Sequence, residues 1–449
     1  MLGFRRVNLR TWLRFRSARR VARRVQNGCA ELDLMSSRSS SSHPHGFPMR
    51  LVPGHDALAV IGGWAAPVLP TQARSRWLLG IAFLGATSVL AAWMAVRHVS
   101  WFGPLVADSL RRVVGSENVT SLEEAVATVE DRVHSAVSDG RARSLRDATP
   151  DELLGKDAKP ATVLPSHSQP RDVGALYAST RSAEDGKWQP VSVRGSDASA
   201  LYRTIVHPDA ERAYAELFVF ALDLNQVSVH AVAGSVEPQN PELRAGVARP
   251  GVVPSADRPR LIAAFNGGFK AEHGQFGMMT DGRELLAPKP KSCTFAARAD
   301  GSLEIATWST LAKTPQTFSW WRQTPGCMIE DGVLHPGLRN SDSTNWGATL
   351  EGKTVIRRSA VGLSEDGRTL FIGISNSTTA RALALGMQHA GVRDVAQLDV
   401  NFSFPRFLLY RDTDSGELNA VGAVRGLLYQ KDEYLGRAST RDFFYVTLR

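Results

Sequence analysis

Residues 263–286 read AAFNGGFKAEHGQFGMMTDGRELL, an apolar run that ends at Phe265 and passes straight into Asn266-Gly267-Gly268. Adjacent glycines permit a turn that most side chains could not adopt. Such a turn lets backbone N–H groups approach a ligand, and phosphate is one candidate. Lys270, Glu272 and His273 follow at once, adding a cation, a carboxylate and an imidazole in one loop. The same trio also suits a solvated loop tip, and a double glycine alone marks only a turn.

Other chemistries leave less trace. No His-x-x-x-His, calcium loop or paired Asp cluster is present, so no metal-ligand set is legible. No cofactor motif stands out and none is called for. A serine hydrolase is poorly supported, since no Gly-x-Ser-x-Gly elbow occurs. Three cysteines, Cys29, Cys293 and Cys327, exclude a disulfide-framework protein and offer no zinc spacing. Cys293 and Cys327 could pair in an oxidising compartment or stay as two buried thiols.

The elements that must position these residues begin near Glu216. Leu217–Leu224 and Val227–Ala233 are β-rich runs joined at Asn225-Gln226, a hairpin pattern. Further strands are expected at Leu261–Phe265, Phe276–Thr280, and at Cys293–Arg298 with Leu303–Thr307 about an Asp300-Gly301 turn. Ser359–Ser364 and Thr369–Ile374 repeat that pattern around Asp366-Gly367. One convincing helix follows, Thr379–Ala390, ended by Gly391 at its C′ position. Val395–Asp399, Phe407–Tyr410 and Phe443–Thr447 complete the set. Many strands with one clear helix predict an α+β fold on a large mixed or antiparallel sheet.

In this order the segments resemble the phosphodiester glycosidase domain family, which includes the lysosomal uncovering enzyme for mannose 6-phosphate tags. The residues that carry the resemblance are Asn266–Phe269, Gly326–Gly332 (GCMIEDG), Arg358–Gly362 with Asp366-Gly367, and Leu398–Ser403 (LDVNFS) after the helix. The likeness covers about 215–449, and the ordered series is more specific than any one motif. It implies cleavage between an anomeric carbon and a phosphodiester oxygen. That chemistry wants a carboxylate near an oxocarbenium-like centre and cationic or N–H donors on the phosphate.

By the resemblance, Asp399 matches the acid that opens the family's Asp-Gly-Gly-Gly-Ser motif, Arg358 matches the arginine of its Arg-Thr-Ala-x-Gly strand, and Asn266, Gly267 and Gly268 match its turn. Asp399, Arg358 and Glu272 are therefore the candidate catalytic residues, with Asn266, Gly267, Gly268, His273, Asn401 and Ser403 as candidate substrate contacts. Each has a plainer reading. Asp399 could cap a strand-to-loop turn, Arg358 could be its structural ion-pair partner, and Arg357 could replace Arg358 because strand alternation points only one inward.

The departures are specific. Val400, Asn401 and Phe402 replace the family's three glycines, Ala382 stands where its helix carries a glutamate, and Ser375-Asn376 replaces an Asp-Gly. The missing carboxylate must come from elsewhere, with Glu272 and Asp281 as candidates, or the domain only binds glycans. Trp346, Phe402 and Phe404 would stack on a sugar in either case.

Charge and hydropathy locate the domain. The 449 residues carry a formal charge of +9. Residues 1–76 hold 13 Arg, no Lys and 3 acids, which leaves 40 basic against 41 acidic side chains in the rest. The basicity belongs to one end, so a nucleic-acid-binding body is not indicated. From Trp77 to Val96 run 20 uncharged residues between Arg76 and Arg97, enough helix for a roughly 30 Å hydrocarbon core. A cleaved signal would need a short basic region before the run, whereas 76 residues precede it.

The expected organisation is a basic, disordered cytoplasmic leader over 1–76, a transmembrane helix over 77–96, a stalk helix and Pro-rich linker over 97–200, and the glycosidase-like domain over 201–449. The arginine bias keeps the amino end in the cytoplasm and puts the domain in the periplasm or outside the cell. Within the stalk, Leu122, Val126, Val129, Val133 and Val137 fall at helical spacing behind a capping Ser121. Two heptads are too short to specify a coiled coil on pattern alone. The expected partners are a glycan or sugar-phosphate substrate and the membrane. The leading expectation is a membrane-anchored hydrolase of glycosyl phosphodiesters on envelope or extracellular glycans, and the alternative is a divergent glycan-binding or scaffold domain on the same fold.

Overall fold

The β-branched and aromatic runs that follow residue 200 pair throughout as antiparallel strands. The structure is a computed structural model. It describes residues 113–449 except 139, 154–168, 197–198, 241–248, 314–316, 340–344 and 348–353, together with scattered residues between 83 and 111. The expected leader over 1–76 and most of the expected membrane helix over 77–96 lie outside the described residues. Those described within 77–96, such as Phe83, Thr87 and Met94, are helical. Among the described residues no helix is long and apolar enough to cross a membrane.

In chain order the elements are α1 (Ser116–Val137), the single turn α2 (Leu145–Ala148), β1 (Gln189–Pro190), β2 (Leu201–Val206), β3 (Leu217–Asp223) and β4 (Val227–Val232). Then come β5 (Leu261–Asn266), β6 (Met278–Thr280), β7 (Arg283–Leu286), β8 (Cys293–Arg298), β9 (Leu303–Thr307), α3 (Trp308–Leu311) and β10 (Phe318–Thr324). The rest is β11 (Ile329–Glu330), β12 (Val333–Leu334), α4 (Pro336–Arg339), β13 (Ile356–Leu363), β14 (Thr369–Thr378), α5 (Ala380–His389), β15 (Asp394–Val400), β16 (Phe407–Asp412), β17 (Leu418–Gly422) and β18 (Phe443–Leu448).

Among the described residues these strands form three sheets, ordered β1-β2-β3-β14-β13-β15-β11-β12, β7-β6-β10-β8-β9 and β17-β16-β5-β18-β4. The α+β class holds, with the one large sheet of the expectation divided into three. The division follows from the core. Phe220 of the first sheet, Phe295 and Trp320 of the second, and Phe265, Phe407 and Phe444 of the third are all buried in a single apolar cluster. Phe220 meets Phe407 at 4.5 Å between centroids and Phe295 meets Phe444 at 5.2 Å, so three sheet faces close on one another. On the other face of the first sheet, Leu383 and Met387 of α5 pack with Leu217, Val219 and Phe371. Thr379 caps α5 by accepting from the Ala382 N–H, and Gly391 follows its end at φ 96°.

Two local expectations need correcting. The run pair 217–224 and 227–233 is not a hairpin, because β3 pairs with β2 and β14 whereas β4 pairs with β18. All seven residues of β3 are buried, and that burial needs partners on both edges, which its sequence neighbour does not supply. Helix α1 starts at Ser116, so Ser121 lies inside it and caps nothing. The Asp-Gly hairpins β8–β9 and β13–β14 form as expected, with Gly301 and Gly367 at φ 85° and 66°.

Cys293 at the start of β8 and Cys327 before β11 form a disulfide across 34 residues, both buried. This resolves the two readings left open by the sequence. Closing a loop of that length removes unfolded-state entropy worth about 3 to 4 kcal/mol. Urea unfolding of the Cys293→Ala/Cys327→Ala protein is expected to show a stability loss of that order, about 3 to 4 kcal/mol. An unchanged midpoint would mean that the bridge adds nothing.

Candidate active site

The Asn-Gly-Gly turn closes β5 where three strand ends converge. Asn266 is fully buried. Its Oδ1 accepts from the Arg406 N–H at 3.0 Å and lies 3.1 Å from Ser359 Oγ, and its Nδ2 donates to the Gly267 carbonyl at 3.1 Å. The Gly267 N–H donates to the Asp442 carbonyl at 3.0 Å and the Gly268 N–H to Asp442 Oδ2 at 2.9 Å. The glycines are required by close approach. A Cβ on Gly267 would sit 2.1 Å from Asp442 Oδ2, and one on Gly268 would sit 2.8 Å from Arg322 Cζ. The donors expected to face a ligand are thus committed to Asp442.

Asp442 is itself buried against Arg322, whose Nε donates to Oδ2 at 2.8 Å. Arg322 sits at zero exposure on β10 and also donates to the carbonyls of Phe269, Phe276 and Gln323. Beside it, Asp399 pairs through Oδ2 with Arg441 at 2.6 Å and accepts the Val400 N–H on Oδ1. The Asp399 N–H donates to the Gly267 carbonyl at 3.1 Å, tying the two motifs together. A bulge prepares this position. The register slips between Arg358↔Val400 and Ala360↔Gln397, so β15 carries an extra residue around Leu398-Asp399 and side-chain alternation breaks there. Burial works against the charge of Arg441, but the surrounding Asp399, Asp442 and Glu237 outweigh it and hold its pKa above the usual value. Arg441 donates to the Gly268 carbonyl and lies 4.2 Å from the Phe404 ring, while its buried Nε has no partner among the described residues.

The loop after the turn forms a single 3-10 turn, Ala271–His273, held by the Ala271 N–H on Glu237 Oε2 at 2.9 Å. Glu272 is more than half exposed, 3.4 Å from both Lys270 Nζ and His273 Nε2. The His273 side chain is 39% exposed. Burial lowers its pKa and keeps the ring neutral near pH 7, against the raising pull of Asp399 and Glu272. The imidazole therefore senses the charge of Asp399, which brings the two sequence motifs into one electrostatic neighbourhood.

The remaining candidates are placed differently. Arg358 is wholly buried and donates to the carbonyls of Trp346, Thr354 and Thr378 and to Gln397 Oε1. Burial, with no carboxylate partner among the described residues, pushes its pKa down to about 9. It is not the ion-pair partner of Asp399, which is Arg441. Arg357, on the other side of β13, donates to the carbonyls of Phe402 and Gly426 and stacks on Phe402 at 4.7 Å. Asn401 caps its own turn by accepting from the Ser403 and Phe404 N–H groups, and the Ser403 carbonyl accepts from Arg406. Trp346 is fully buried with its N–H on the Gly326 carbonyl, so it cannot stack on a sugar. Asp281 is exposed in the β6–β7 turn, and its charge acts on Tyr445. Ala382 is buried in the first turn of α5.

Sequence reasoning missed Arg322, Arg441 and Asp442. Arg322 interrupts the aromatic run FSWWRQT, where a charge at a core position has to find a partner. Arg441-Asp442 directly precedes the apolar run of β18. Among the described residues no group of three His, Cys, Asp or Glu side chains is placed to hold a metal. A cavity of about 320 Å³ opens between the β8–β9 and β13–β14 hairpins, lined by Arg298, Glu304, Glu365 and Asp394. It shares no residue with the Asp399 cluster.

The fold and the cluster together define an all-antiparallel α+β domain whose buried acids and arginines gather at the end of a Gly-Gly turn. Residues 259–399 match the model of the phosphodiester glycosidase family, which bears out the sequence resemblance over that segment. The match ends at Asp399, and Arg441 and Asp442 lie beyond it. Among solved structures, the chain is similar to the zebrafish N-acetylglucosamine-1-phosphodiester alpha-N-acetylglucosaminidase catalytic domain, auto-inhibited by its pro-peptide. That likeness has 17% identity and a TM-score of 0.37, covering 67% of this chain and 100% of that one. It is also similar to a hypothetical protein from Synechocystis (11% identity, TM-score 0.30, 57% of this chain and 63% of that one). No curated protein matches the chain.

The electrostatic coupling of His273 to Asp399 can be measured. The imidazole is expected to titrate below the ordinary histidine value of about 6.5. Asp399→Asn should move it lower still, because it removes a charge that favours the imidazolium. An NMR titration of the labelled ring checks this, and a pKa unmoved by Asp399→Asn would separate the two residues.

Proposed function

We propose that the domain hydrolyses glycosyl phosphodiesters, breaking the bond between the anomeric carbon and the phosphate oxygen. Water adds its hydroxyl to the sugar, and its proton goes with the phosphate oxygen to give a phosphomonoester. The family match over 259–399 carries this reading, and the grouping of Asp399 with a neutral His273 gives it residues. Asp399 would face the oxocarbenium-like centre, oriented by Arg441 and by the Val400 N–H. His273, with Glu272 beside it, would take the proton of the attacking water. The phosphate is a good leaving group, and Lys270 with the unpartnered Nε of Arg441 would supply its cationic contacts.

A second reading has its own observation. Asp399 is only 3% exposed and bonded to Arg441, Phe402 lies against Arg357 where the resemblance places a glycine, and Phe404 lies over Arg441. A glycan-binding domain without turnover would look the same.

The reading extends to location, with the amino end cytoplasmic, residues 77–96 in the membrane and the domain in the periplasm or outside. The apolar run, the arginine bias and the Cys293–Cys327 disulfide support it, since such bridges persist in oxidising compartments. In intact cells, Cys29 is then expected to resist a membrane-impermeant maleimide until the membrane is opened. Labelling before permeabilisation would contradict this orientation.

The activity test follows release of reducing sugar from a panel of sugar-1-phosphodiesters. Turnover should be present and should fall by about 100-fold or more in Asp399→Asn. Full activity in the mutant would remove Asp399 from catalysis. Saturable binding without turnover would establish the second reading.

A further inference from the structure

Helix α1 is docked with its polar side inward. Asp131 pairs with Arg212 at 3.1 Å, Ser135 meets the Tyr214 hydroxyl at 3.0 Å, and Glu124 accepts from Thr354 Oγ1 at 3.0 Å. Ala127, on the same side, is buried. The apolar stripe points away: Leu122 is 55% exposed, Val126 44%, Val129 58% and Val133 52%. An amphipathic helix ordinarily buries that stripe. Here hydrogen bonds and ion pairs hold the helix, and about 17 Å of apolar seam faces outward.

We propose that this seam is a dimer interface and that its occupant is the same helix of a second copy, running parallel. The spacing 122–126–129–133 alternates four, three and four residues, which fits the knobs and holes of another helix better than a flat surface. Val126 and Val133 take the a positions, where β-branched residues favour two strands, and Leu122 and Val129 take the d positions.

Charge selects the direction. In a parallel pair, flanking contacts set Ala125 beside the partner's Glu130 and Arg132 beside the partner's Val137, so no like charges meet. An antiparallel pair that matches Leu122 with Val133 sets Glu123, itself held by Arg111 at 2.9 Å, near the partner's Glu130 twice, a contact that the parallel pair avoids. A lipid surface fits less well, because acids (Glu123, Glu124, Glu130, Asp131) outnumber bases over 121–137 and an interfacial helix wants lysine and arginine. The proposal does not depend on the hydrolase reading.

The test uses the full-length chain in detergent, with Cys29→Ser so that an introduced thiol is the only free one. Sedimentation should give a dimer. Val129→Cys should cross-link under mild oxidation to twice the chain mass, and Thr128→Cys, on the flank, should do so about tenfold less. Val126→Asp/Val133→Asp should weaken association by roughly 100-fold, since it buries two carboxylates. A monomer in which Val129→Cys cross-links no better than Thr128→Cys overturns the proposal. So does cross-linking seen only when Val126→Cys and Val129→Cys chains are mixed, which would mean an antiparallel pair. A monomer whose Val129→Cys thiol is shielded only by phosphatidylcholine vesicles would assign the seam to a bilayer and equally overturn it.

Discussion

Two carboxylates and two guanidinium groups, Asp399, Asp442, Arg322 and Arg441, lie almost wholly out of water where the strand ends meet. Removing any of these charges from water costs several kcal/mol, and only close pairing and full hydrogen bonding offset it. The pairing is strict here. Asp442 takes Arg322 on its carboxylate together with the Gly268 N–H, and its backbone takes the Gly267 N–H. The Gly-Gly turn, the start of β18 and the middle of β10 are thereby fixed to one another, and no side chain can enter at 267 or 268 without displacing the cluster.

The candidate site residues inherit their positions from this cluster. Gly267 presents its carbonyl to the Asp399 N–H, the β15 bulge turns the carboxylate toward Arg441, and the loop leaving Gly268 holds Lys270, Glu272 and His273 together, with His273 feeling the charge of Asp399. Site geometry and site electrostatics therefore have the same origin. The charges that lock the turn also hold Arg441 charged despite its burial, and the loop partly buries His273 and keeps it neutral. Phe402 and Phe404 in the following loop lie against Arg357 and Arg441.

Much of this was legible in the sequence. The strand runs, the two Asp-Gly hairpins and the helix ending at Gly391 follow from local pattern, whereas the bond between the Asp399 N–H and the Gly267 carbonyl does not. The hairpin expected of β3 and β4 failed because local turn chemistry does not report which sheet a strand joins. The ion pair expected of Arg358 with Asp399 is made by Arg441 instead for a related reason: alternation shows that Arg357 and Arg358 point opposite ways, but not which direction holds the acids. Arg322, Arg441 and Asp442 were missed because their meaning is entirely long-range. Arg322 and Asp442 are 120 residues apart in the chain, and nothing near either one names the other.

The most direct test of this account is a double-mutant cycle on Arg322 and Asp442, read by urea unfolding. Arg322→Met and Asp442→Asn should each cost about 3 to 5 kcal/mol, because each strands a buried charge. The double mutant should be less destabilised than their sum by about 2 kcal/mol or more. Additive losses, within about 0.5 kcal/mol, would contradict the claim that this buried pair locks the site.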